Sequence, residues 1–99
     1  MKGRSGQARE AAEALAVQAL SYIAQDGERL GRFLSLTGIG PAEIRSAARE
    51  PGFLAGVLEY LAGDERLLTE FAKDAGYEPA TIDAARLALG GSSWEREIP

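Results

Sequence analysis

Apolar residues recur along this chain at steps of three and four, the period of an α-helix with one face turned to a core. The first such run takes in Ala12, Leu15, Ala16, Ala19, Leu20 and Ile23. Asp26 then stands where a helix N-cap is needed, since a carboxylate accepts the backbone N–H groups that a first turn leaves unpaired. The helix it opens carries Leu30, Phe33, Leu34 and Thr37 inward and stops at Gly38, where glycine accepts the left-handed conformation of a C-cap. Pro41 suits the first turn of a short third helix, with Ile44, Ala47 and Ala48 inward and Pro51 closing it. Phe53, Leu54, Val57, Leu58 and Leu61 form a fourth helix, ended by Gly63. Asp64 caps a fifth, with Leu67, Leu68, Phe71, Ala72 and Ala75, and Gly76 stops it. Pro79 opens a sixth with Ile82, Ala85 and Leu89, and Gly90 and Gly91 end the helical region. The twofold alternation of a strand appears nowhere. The expectation is an all-α fold: one helical domain over residues 1–91, then a C-terminal tail at 92–99.

The same grammar occurs twice, at a constant shift of 38 residues. Leu20, Tyr22, Ala24, Asp26, Leu30, Phe33, Gly38, Pro41, Ala42, Ile44 and Ala47 match Leu58, Tyr60, Ala62, Asp64, Leu68, Phe71, Gly76, Pro79, Ala80, Ile82 and Ala85. These are 11 identities over the 28 positions from 20 to 47, without a gap; so alanine-rich a chain would give roughly three at an arbitrary shift. Caps, stops and core positions recur together, which points to a duplicated unit. Neither unit can cover its own apolar face, and two copies are too few for a solenoid. The predicted architecture is a compact six-helix bundle of two pseudo-symmetric three-helix units, with repeats at 20–47 and 58–85.

Composition narrows the chemistry. A chain of 99 residues is enough to bury roughly 60–65% of its unfolded surface, so a core forms without staples. There is no cysteine and no histidine. Disulfides, zinc–thiolate sites, thiol nucleophiles and the imidazole proton shuttle are therefore excluded together. No serine has a base beside it in the manner of a hydrolase triad. The carboxylates, among them Asp26, Asp64, Glu65 and Asp74, follow neither the calcium-loop spacing nor a di-iron pattern. Gly38-Ile39-Gly40-Pro41 extends into no phosphate-binding fingerprint. The reading is not an enzyme, with no cofactor and no metal. Lys2, Arg4 and Arg9 run into Glu10 and Glu13 with no apolar stretch behind them, unlike a signal peptide, and no stretch has membrane-spanning length. A reduced bacterial cytoplasm fits, and the net charge of −4 argues mildly against nucleic acid.

Three features remain as candidate chemistry. Phe71-Ala72-Lys73-Asp74-Ala75-Gly76-Tyr77-Glu78-Pro79-Ala80-Thr81-Ile82 resembles the helix-turn-helix of lac-repressor-like DNA-binding domains in its alanine, glycine and isoleucine spacing. That resemblance implies a recognition helix, yet this one offers Ala80, Thr81, Asp83, Ala84 and Arg86, and residues 64–89 hold six acids against three bases. A structural corner is the simpler account. Arg29, Arg32, Arg45 and Arg49 could converge into an anion or partner contact, Arg45 and Arg49 sharing one helix face. Ordinary surface pairing competes, since Glu28 lies four residues before Arg32. Tyr22 and Tyr60 are expected at the rim of the core with wet hydroxyls. Trp94 either folds back on an apolar groove or serves as a partner anchor.

Across most of its length the chain resembles a family of roughly hundred-residue alphaproteobacterial proteins classed as a domain of unknown function. The resemblance rests on Ala14-Leu15-Ala16-Val17-Gln18-Ala19-Leu20, Glu28-Arg29-Leu30-Gly31-Arg32-Phe33-Leu34, Leu36-Thr37-Gly38 and Phe53-Leu54-Ala55-Gly56-Val57-Leu58. It implies no activity, cofactor or site. The functional expectation is a non-catalytic protein–protein interaction module, binding another protein or itself. The alternative is an atypical nucleic-acid-binding domain using the helix-turn-helix-like corners.

Overall fold

A computed structural model describes residues 2–91, and among them every regular element is helical. The six helices are α1 (Lys2–Ala24), α2 (Gly27–Thr37), α3 (Ile44–Ala47), α4 (Pro51–Ala62), α5 (Glu65–Ala75) and α6 (Pro79–Arg86). A 3-10 turn (Pro41–Glu43) leads into α3, and a π segment (Leu87–Gly91) follows α6.

Local chemistry accounts for the boundaries. Asp26 caps α2 by accepting from the Glu28 N–H at 3.0 Å, and Asp64 caps α5 through the Leu67 N–H at 3.1 Å. Gly38 and Gly76 end those helices in the left-handed conformation, with φ of 74° and 78°. The two differ from expectation in nothing. Pro51, by contrast, does not merely close α3: it stands in the first turn of α4, where a missing N–H costs no helix bond. Helix α1 also begins ten residues before its first apolar repeat, since nothing in Lys2–Glu10 forces a break. Past Arg86 the chain keeps turning as a wider π coil, and Leu89 ends up buried.

An added Cβ at Gly38 or Gly76 would meet no atom within 4 Å, so only backbone strain opposes a side chain there. Valine at either position should destabilise the protein by roughly 1–2 kcal/mol. Gly31 is exposed within α2, at ordinary φ and equally open, so alanine there should stabilise by about 0.5–1 kcal/mol. Urea denaturation reads both signs. Equal shifts in one direction for Gly38→Val and Gly31→Ala would remove the conformational argument.

The core is assembled on α1 and α4, which pack together while α6 and the π segment pack on both. Ala12, Leu15, Ala16, Ala19, Leu20 and Ile23 meet Leu54, Val57, Leu58 and Leu61, closed by Ile82, Ala85 and Leu89. Small alanines on α1 let the helix axes approach closely. Phe33 from α2 and Phe71 from α5 plug the two flanks, and no polar side chain is buried among the described residues. Their aromatic contacts are reciprocal. Tyr22 of α1 meets Phe71 with centroids 5.6 Å apart, and Tyr60 of α4 meets Phe33 at 5.1 Å. Each tyrosine thus closes on a phenylalanine of another helix, and both are half-buried at the rim. The correspondence weakens at the third helix. Ile82 and Ala85 of α6 are buried, but Ile44 and Ala47 of α3 are only half-covered, because α6 lies across α1 and α4 and α3 has no such seat.

Candidate functional site

The four arginines of the sequence reading do not share one environment. Arg29 reaches across to α5, donating to Glu70 Oε1 at 2.7 Å, with Asp26 at 3.9 Å and its guanidinium 4.8 Å from the centre of the Tyr22 ring. Desolvation pulls that guanidinium toward neutrality, but Tyr22 and the carboxylates of Glu70 and Asp26 outweigh it and hold the pKa above the usual arginine value. Arg29 therefore clasps α2 to α5 rather than standing as an open anion ligand. Arg32, one turn on, faces away toward the α4–α5 corner. Arg45 is exposed on α3 and Arg49 on the turn after it. The Glu28–Arg32 pair that the spacing allows is not among the ion pairs of the described residues.

The helix-turn-helix-like corner is also committed elsewhere. Its second helix, α6, turns Ile82 and Ala85 into the core. Arg86, the one base on that helix, donates to Asp83 at 2.7 Å and Glu59 at 3.2 Å, and these bonds raise its pKa above the arginine norm. The outer face of α6 is left with no uncommitted cation for a phosphate backbone.

Among the described residues, two shallow grooves stay open. One, of about 340 Å³, lies between α1 and α5, lined by Val17, Gln18, Ser21, Tyr22, Gln25, Phe71, Asp74 and Ala75. The other, of about 560 Å³, lies between α2 and the α4–α5 corner, lined by Arg32, Leu36, Glu59, Tyr60, Gly63, Asp64, Glu65 and Arg66. The same 38-residue shift relates them: Ser21, Tyr22 and Gln25 correspond to Glu59, Tyr60 and Gly63, and Leu36 to Asp74. Each groove has a tyrosine in its wall and an exposed aliphatic at its edge, Val17 at 41% and Leu36 at 69% exposure. The profile of a family described as "Protein of unknown function (DUF3572)" matches residues 9–92. The chain belongs to the DUF3572 family. No curated protein and no solved structure matches it.

The family description names no activity, so the site of this DUF3572 chain rests on its own geometry. Among the described residues no group of three acids is placed to hold a metal ion, and no helix is long and apolar enough to cross a membrane. Trp94 lies outside the described residues. The sequence reading missed Leu36, Val17 and Tyr60 as groove residues, although a signal existed. Leu36 falls off the Leu30–Phe33–Leu34–Thr37 stripe, and Val17 off the Ala16–Ala19–Leu20–Ile23 stripe. An apolar residue outside its helix's inner stripe is the one that stays in water.

Proposed function

We propose that this chain is a non-catalytic docking module that holds side chains of another protein in its two grooves. The observation carrying this reading is the groove beside Tyr60, where Leu36 stays 69% exposed on a helix whose Phe33 is buried and whose Leu30 and Leu34 are half-buried. Both grooves are open and shallow, which suits anchor residues of a protein rather than an enclosed small molecule. We read residues 20–47 and 58–85 as two copies of one unit, which would supply two related grooves from one fold. A bacterial cytoplasm remains the setting that the cysteine-free composition favours.

A peptide-display selection against the immobilised full chain tests the reading, with Leu36→Glu and Val17→Glu as counter-targets. Both substitutions fall on exposed sites and should leave the helical circular-dichroism signal intact. Enriched peptides are expected to lose at least about tenfold in affinity, roughly 1.4 kcal/mol, on one variant or the other. Peptides that ignore both substitutions, or a selection that enriches nothing, would overturn the docking reading. Self-association through the same grooves would show as a dimer of the parent chain that both variants dissolve.

A further inference from the structure

The two stretches matched by the 38-residue shift are not held down alike. Between residues 24 and 50 one side chain, Phe33, is fully enclosed. The matching stretch, 62–88, encloses Leu67, Phe71, Ala72, Ile82 and Ala85. Helix α2 lies chiefly on α1, and α3 chiefly on the turn before it, whereas α6 spans α1 and α4. Leu34, Ile44 and Ala48 lean on the core without being closed in by it. One position marks the difference. Where α5 buries Leu67, the shift places Arg29 in α2. That arginine reaches Glu70 of α5 at 2.7 Å, and among the described residues no other ion pair ties 26–48 to the rest of the molecule. A partly exposed ion pair stabilises far less than a buried leucine. Local opening starts where burial is thinnest.

We infer that residues 26–48 form a strap that opens as one unit while α1, α4, α5 and α6 stay packed, with the Arg29–Glu70 pair as its latch. Phe33 is the plug that leaves the core when the strap lifts, and its departure bares the rings of Phe53 and Tyr60. Arg32 and Leu36 travel with the strap, so opening removes one wall of the groove beside Tyr60. The groove lined by Val17, Tyr22 and Asp74 keeps all its walls. This opening stands whether or not a partner docks.

Native-state hydrogen exchange on the isotope-labelled full chain, in the regime where exchange reads the opening equilibrium, tests the strap. Amides of α2 are expected to be at least about a hundredfold less protected than those of Leu58 and Leu61 in α4. Two variants separate the strap from global unfolding. Ile82→Val weakens a contact that survives in the opened state. It should lower protection in α4 about threefold to tenfold and leave α2 unchanged. Glu70→Gln removes the latch, which is broken in both the opened and the unfolded state. It should lower protection in α2 and α4 alike, by about twofold to fivefold. Equal protection of α2 and α4 in the parent chain, or an Ile82→Val effect that reaches α2 in full, would overturn the strap. No change in α2 on Glu70→Gln would overturn the latch.

Discussion

Replacing Phe33 or Phe71 by alanine is expected to remove about 3–5 kcal/mol of stability, the range for deleting a fully buried aromatic ring. Phe33 is 0% exposed and Phe71 1%. Phe33 sits edge-on to Tyr60 at 5.1 Å and Phe53 at 5.9 Å, and Phe71 lies against Tyr22 at 5.6 Å and Tyr77 at 6.1 Å. Each ring is met by an aromatic side chain of another helix, Tyr60 of α4 for Phe33 and Tyr22 of α1 for Phe71, so neither cavity can collapse by moving one helix alone. Set against a total of about 5–15 kcal/mol for a small domain, either loss is a large share of the fold. At roughly 4–8 °C per kcal/mol, the melting temperature should fall by about 15–30 °C. Reciprocity makes the test sharper. The Phe33–Tyr60 and Phe71–Tyr22 double-mutant cycles should return similar coupling energies, on the order of 0.5–1.5 kcal/mol. A loss below about 1 kcal/mol at both phenylalanines would contradict the packing that buries them between helices.

Ending the chain after Glu50 is expected to abolish the monomeric fold. Helix α1 would lose Leu54, Val57, Leu58 and Leu61 of α4 and Ile82, Ala85 and Leu89 beyond it, and Phe33 would lose Phe53 and Tyr60. A remnant of this size has no second layer to bury its face against, and small single cores rarely supply more than about 3–5 kcal/mol even when complete. Two outcomes fit. The fragment unfolds, or it dimerises with Tyr22 of one copy on Phe33 of the other, which is the Tyr22–Phe71 contact rewritten with the repeat's own residues. Dimerisation would need α3 to take the seat of α6, with Ile44 and Ala47 standing for Ile82 and Ala85. Circular dichroism with light scattering across a concentration series separates the cases. A stable, fully helical monomer of residues 1–50 would contradict both.

The parts of this fold that were legible in advance are those decided by one residue and its nearest neighbours along the chain. Asp26 and Asp64 cap, Gly38 and Gly76 stop, and Pro41 and Pro79 start, because each act is settled within a turn. The same locality misassigned Pro51, since a proline that ends one helix and one that begins the next look alike from a distance of four residues. The unequal fates of Ile44 and Ile82 could not be read at all. Both sit at identical places in their unit, and only the tertiary seat across α1 and α4 tells them apart. The grooves were hidden for a related reason. Leu36, Tyr60 and Arg66 come from three helices, and nothing in their spacing announces that they meet. The arrangement of the arginine group was equally undecided by the sequence. Four cations on neighbouring elements suggested a patch, but Arg29 turned to Glu70 and Arg32 to a different corner.

Photo-crosslinking in the native cell tests the central claim most directly, using a photoreactive side chain at position 36 and, as the control, at position 87. Leu87 is likewise exposed, at 50%, but lines neither groove. The account predicts a discrete adduct with one other protein from position 36 and no such adduct from position 87. The same adducts from both positions, or none from position 36, would contradict it.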